Sequence, residues 1–130
     1  MSNRAIWDAF CTHMGTMSNG LPILFHGRGG KPPDSGYWLE ARHFPNETDN
    51  QSWEADSKNA YMGFFQVSVY TRQAIGLDPI QAIAEHVIAH CPKGLELAGV
   101  RVKKKPHDSP AIELPDRIFI PVTIHYLGII

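Results

Sequence analysis

The chain has 130 residues, 43% of them hydrophobic and 19% charged, with a net charge of −1. That size suits one domain, residues 1–130, around one core. The near-neutral charge excludes a global electrostatic pull toward nucleic acid or membrane, so any such signal must be local. No apolar run approaches the roughly 18 residues needed to span a bilayer. The stretch Met1 to Asp8 lacks the apolar centre of a secretory signal, so a protein that works in a cytosol, or is released from one by lysis, is expected. Two cysteines, Cys11 and Cys91, have no paired spacing; they read as reduced, buried small residues.

In chain order, Asn3 is placed to cap a first helix to about Met14, with Ile6, Ala9, Phe10, His13 and Met14 along one side and Gly15 at its end. Leu21 to Phe25 reads as a short extended segment whose Pro22 suits a strand start or edge. Gly27 to Gly36 superficially resembles a phosphate loop. However, the first glycine is missing at the required distance from Gly30-Lys31, Pro32 stands where a magnesium-holding hydroxyl is needed, and no helix follows. It reads as a surface loop. Tyr37 to Phe44 alternates as a strand that Pro45 ends. Residues 46–59 form a polar stretch with Glu47, Asp49, Glu54 and Asp56 against Lys58, and with an isolated Trp53. A connection of that length is often functional. Its two Asn-x-Ser/Thr triplets carry no meaning without a secretory signal.

Gly63 to Tyr70 is rich in aromatic and β-branched residues and reads as the central strand, with Phe65, Val67 and Val69 on one face. After a turn at Gly76, Asp78 is placed as a cap and Pro79 at the first helical position. Ile80, Ile83, Ala84, Val87, Ile88 and Cys91 then make one apolar stripe over three turns, which Pro92 and Gly94 close. Leu97 to Lys104 reads as one strand, Val100 and Val102 opposing Arg101 and Lys103. Pro106 to Pro110 is a connection, and Ile112 and Leu114 add a short extended piece. The last strand is the most regular: Ile118, Ile120, Val122, Ile124 and Tyr126 face one way, Arg117, Phe119, Pro121, Thr123 and His125 the other. Pro121 marks an edge or a bulge, because it cannot donate to a ladder. The order is α+β: a mostly antiparallel sheet with two helices packed on one face. Ile83, Val87, Phe65, Val67, Ile120, Val122 and Ile124 should be buried between them. Phe64, Tyr70 and Phe119 fall on the opposite face, where large apolar groups suggest a second layer or a neighbouring subunit.

Little in the chain points to chemistry. His86 and His90 share a helix face at i, i+4, a spacing that can bind metal, but Glu85 precedes the first histidine and no third ligand is evident. The cysteines lie in apolar stripes, a poor setting for a thiolate. No nucleophile elbow exists. No catalytic residue, metal or cofactor is therefore assigned, and a metal-dependent enzyme using His86 and His90 stands as the alternative of another class. The basic run at 101–105 lacks the aromatic pattern of single-strand binders.

The succession Ala5-Ile6-Trp7-Asp8-Ala9-Phe10, Pro22-Ile23-Leu24-Phe25, Tyr37 to Pro45, Gly63 to Tyr70, Leu77-Asp78-Pro79 and Ile120 to Tyr126 resembles the lambda-type tail terminators of long-tailed phages and prophages, over about residues 3–128. The resemblance rests on order and hydrophobic pattern. It implies a structural virion protein, assembled in the host bacterial cytoplasm. Its subunits would form a ring, usually a hexamer, that caps the tail tube, halts polymerisation and docks the head connector, with DNA passing through the lumen. A neck or head-completion protein is the close alternative. Glu54, Asp56, Phe64, Tyr70, Arg101, Lys103, Lys104 and Phe119 are the candidate subunit-interface or lumen residues: the acidic loop and the basic run are either complementary patches of one heterologous contact, or solvated surface, and the basic run has the further role of lining the lumen open to it.

Overall fold

The computed structural model describes residues 2–17, 20–33, 36–46, 49–50, 59–72 and 77–129. Helix α1 spans Asn3–Gly15 and is capped one residue earlier than expected: Ser2 Oγ accepts from the Ala5 N–H at 3.1 Å, and Asn3 is already helical. Strand β1 (Ile23–Phe25) follows, then β2 (Tyr37–Pro45), β3 (Asp49–Asn50) and β4 (Asn59–Thr71). Helix α2 spans Asp78–His90. Here too the expected cap shifts: Leu77 holds the cap position without a side-chain bond, and Asp78 sits inside the first turn, where its charge favours the helix dipole.

Four short strands come next, β5 (Glu96–Leu97), β6 (Val100–Val102), β7 (His107–Asp108) and β8 (Ile112–Leu114), and the chain closes on the long β9 (Arg117–Ile129). The single strand expected over 97–104 is in fact a hairpin. Ala98 and Gly99 turn between β5 and β6 with φ of 49° and 88°, the left-handed pair that a two-residue hairpin loop requires. The alternation of Val100, Arg101 and Val102 marked β6 correctly but hid the turn, because alanine is a poor signal for positive φ.

The sheet runs β1-β2-β4-β9-β6-β5, with β3 on β4 and β7 and β8 also on β9. It is mixed and curled: β1 pairs parallel with β2, and the other pairings are antiparallel. Short strands take turns along one side of β9, and this explains Pro121. Its carbonyl accepts from the Ser109 N–H at 2.9 Å, so its nitrogen faces that same side. There β7 ends opposite Val122 and β8 begins opposite Phe119. Three residues (109–111) oppose two (120 and 121), a bulge that asks for no donor from Pro121.

Both helices cover one face. Ile6, Phe10 and Met14 of α1 and Ile80, Ala84 and Val87 of α2 are buried on Phe65, Val67 and Val69 of β4 and on Ile118, Ile120, Val122, Ile124 and Tyr126 of β9. The Phe10 and Phe65 rings stack at 3.9 Å. Ile83 departs from the expected core: it is only partly buried and flanks the cluster, because the helix centre line runs through Ile80, Ala84 and Val87. The helix ends are locked to each other. The His13 ring lies 4.1 Å from the His90 ring, His13 Nε2 bonds the His90 carbonyl at 2.7 Å, and His90 Nε2 bonds the His13 carbonyl at 2.8 Å. The His90 carbonyl is one that a helix C-terminus leaves open, whereas the His13 carbonyl also accepts from the Thr16 N–H at 3.0 Å and the Thr16 hydroxyl at 2.6 Å. Cys11 and Cys91 are free and buried, and burial pushes the Cys91 thiol up to about 12.

Candidate functional site

The helices leave the other sheet face uncovered, and strand alternation decides what it shows. In register across the sheet, Trp38, Tyr70, Phe119 and Ile112 form one row, and Phe44, Phe64 and His125 another. Between them lie Glu40, Ser68 and Pro121, then Arg42, Gln66, Thr123 and His107. In the first row, ring centroids are 5.2 Å apart for Trp38–Tyr70 and 4.7 Å for Tyr70–Phe119. In the second they are 4.9 Å for Phe44–Phe64 and 5.6 Å for Phe64–His125, and His107 stacks on His125 at 6.0 Å. Such cross-strand pairs also stiffen the sheet. The two rows flank a hollow of about 240 Å³ lined by Glu40, Arg42, Phe44, Gln66, Ser68, Tyr70 and Phe119.

Cations frame both rows. Trp38 is fully buried, because the Arg72 and Arg117 guanidinium groups close over it, 5.2 and 5.8 Å from the ring centroid. Arg72 is positioned by the Pro33 carbonyl at 2.7 Å and by Asp116 at 3.5 Å, and Arg117 by Asp116 at 3.1 Å. The Trp38 indole donates to Glu40 at 2.9 Å. At the other row, burial lowers the His125 pKa, and the charges of Lys104, Lys103 and His107 lower it further. A neutral imidazole lies tilted against Phe64 without bringing a charge to the apolar row.

Of the residues singled out from sequence, Phe64, Tyr70 and Phe119 occupy this face, and Arg101 joins it opposite Leu127, where it is ion-paired with Glu96. Lys103 and Lys104 are exposed beside His125. Glu47, Trp53, Glu54 and Asp56 lie outside the described residues. Trp38, Arg42, Phe44 and Arg117 were missed as candidates. The signal was present, since even positions 38 to 44 share one face of a strand, but nothing local says which face the helices take. The histidine spacing on α2 does not form a cluster: His86 is exposed, while His90 is engaged with α1. Among the described residues, no three His, Cys, Asp or Glu are grouped to hold a metal ion.

Fold and surface together define an α+β subunit with one face closed by helices and one broad face of aromatic and cationic groups. The chain belongs to the phage tail terminator protein family, whose model matches residues 5–126, a span that takes in most of α1, all of α2 and nearly all of the sheet. It is therefore a structural component of a phage tail. A solved structure whose name states no function superposes with a TM-score of 0.79, over 98% of this chain and 96% of that one, at 24% identity; that likeness concerns the fold alone. No curated protein matches. Among the described residues, no helix is long and apolar enough to cross a membrane.

Proposed function

We propose that the 130-residue chain folds as one domain and acts without catalysis. Copies of it form a ring, a hexamer by the family resemblance, on the head-proximal end of the finished tail tube. The ring stops tube polymerisation, presents the docking surface for the head connector, and leaves a lumen for DNA. The observation that carries this reading is the family match across residues 5–126. The uncovered aromatic face supports it, since Phe44 remains 38% exposed and Phe64, Tyr70 and Phe119 are only partly buried, as fits a surface awaiting partners.

The test is tube growth. Purified tail tube protein should polymerise to a fixed length when this chain is added and without limit in its absence, with a ring at one tube end by electron microscopy. Unchanged tube length and no end-bound density would sink the reading. Binding to filled heads with no effect on tubes would point instead to head completion.

A further inference from the structure

Among the described residues, β1, β3, β5, β7 and β8 each have one side that no strand pairs with; β1 and β8 are the three-residue strands of this set. Their backbone groups can be assigned. Pro22 accepts from Leu39 and His26 donates to the Ala41 carbonyl, so the even positions of β1 face β2 and Ile23 presents its N–H and C=O outward. On β8, Leu114 and Ile112 pair with Arg117 and Phe119 across a two-residue turn. The bond from Ser109 to Pro121 shows that odd positions of β9 face this side. Ile112 and Leu114 therefore bond β9, and Glu113 presents its N–H and C=O outward.

On the outer sheet face both edges are apolar, and Glu113 is the one charged residue of β8. Ile112 and Leu114 are 44% and 45% exposed; Leu24 is partly buried and Pro22 exposed on the same sheet face of β1. An open edge of this kind invites another strand, and isolated domains usually blunt it with lysine, proline or a covering element. Pro22 does not block β1, because its nitrogen points inward to β2. Strand directions also agree. β1, β2 and β9 run one way, β4 and β8 the other. A copy placed beside the sheet in the same sense would thus bring β8 antiparallel to β1.

We infer that the β8 edge of one subunit pairs antiparallel with the β1 edge of the next, Glu113 opposite Ile23, so that Ile112 and Leu114 lie against Leu24 and Pro22 and the sheet continues from copy to copy. The partner is a second copy of this chain. The two edges differ, so the contact is heterologous and generates a ring or an open filament rather than a closed pair. The row Trp38–Tyr70–Phe119–Ile112 would then end against the neighbour rather than in water. This inference rests on the ring reading and names the contact that builds the ring.

The test uses the full chain carrying both Ile112→Cys and Leu24→Cys, a non-hydrogen-bonded pair in this register, whose Cα separation of about 4.5 Å suits a disulfide. Cys11 and Cys91 are buried and supply the low background seen in each single variant. Mild oxidation should give a ladder on denaturing gels that ends at the ring's subunit number, absent from either single variant. In parallel, Glu113→Pro removes one outward N–H without touching the β8–β9 ladder, and should raise the concentration of half-assembly about tenfold. A ring seen by light scattering, with no cross-linking beyond the single variants and normal assembly of Glu113→Pro, overturns the edge pairing and leaves the ring reading standing. A chain that stays monomeric and gives no ladder overturns both. A ladder from a chain that scatters as a monomer supports the edge pairing and shows the ring to be weak.

Discussion

At Gly63 a strand interior carries the one residue its surroundings tolerate. A Cβ there would lie 2.6 Å from the Phe44 carbonyl, 2.8 Å from Pro45 Cα and 2.9 Å from the Tyr126 hydroxyl. Two of these are backbone atoms of β2, so relief requires moving a strand. Gly63→Ala should destabilise by about 1–3 kcal/mol in urea unfolding; an unchanged midpoint would contradict the packing. The Tyr126 hydroxyl is itself bonded to His43 Nε2 at 2.7 Å, and burial raises its pKa to about 12. A second residue-scale prediction concerns His13. Burial lowers its pKa below the ordinary 6.5, and the neighbouring His90 ring lowers it further, against the opposing pull of the His90 carbonyl. The native state then holds this proton less tightly than the unfolded chain. The corresponding stability is fully present above the ordinary value and is lost as pH falls through the depressed one. Burial lowers His43 and His125 as well, in the same sense. The melting temperature should drop as pH goes from about 7 to about 5, and His13→Gln should flatten that slope relative to the parent. A parallel slope in the variant would remove His13 from the account.

Among the elements, the β5–β6 hairpin offers the sharpest test. Ala98 is the only non-glycine at positive φ among the described residues, at 49°. A side chain there costs about 1 kcal/mol that glycine would not incur. Ala98→Gly should therefore stabilise the fold slightly, by about 0.5 kcal/mol after the added freedom of the unfolded chain is counted. A loss of stability would mean the turn is built differently. This hairpin also shows where the sequence was readable. Long periodic stretches such as α2 and β9 announced themselves, because many residues repeat one geometric requirement. β5 and β7, two residues each, carry no period at all and exist only because β6 and β9 offer them a ladder. The start of β4 at Asn59 rather than Gly63 was hidden likewise, since a mid-strand glycine reads as punctuation until the close approach of β2 supplies its reason.

For the whole molecule, the core was legible and the outer sheet face only half so. Hydrophobic burial depends on composition and period, both written locally. Which polar and aromatic residues share the outer face depends on register between separate strands, such as Trp38 with Tyr70 and Tyr70 with Phe119. Phe64, Tyr70 and Phe119 were found because they broke the alternation of their own strands; Trp38 and Phe44 broke no rule. The same face leaves the basic run with two readings that can be separated. Lys103 and Lys104 stand exposed near His125 at the row opposite the Arg72–Arg117 pair. They can meet the acidic residues Glu54 and Asp56 of a neighbouring copy, or line the lumen beside DNA. Exposed pairs contribute only about 0–1 kcal/mol each, so their part in assembly would be register and encounter rate, with Phe64 and Phe119 as anchors. Under the first reading, Lys103→Glu with Lys104→Glu should weaken ring formation, most at low salt, and Glu54→Lys with Asp56→Lys in the same chain should restore it. Under the second, the lysine reversal leaves ring formation intact by light scattering, while phage particles carrying it assemble full length and eject DNA poorly. If rings, salt dependence and infectivity all match the parent, both roles fall and the lysines are solvated surface.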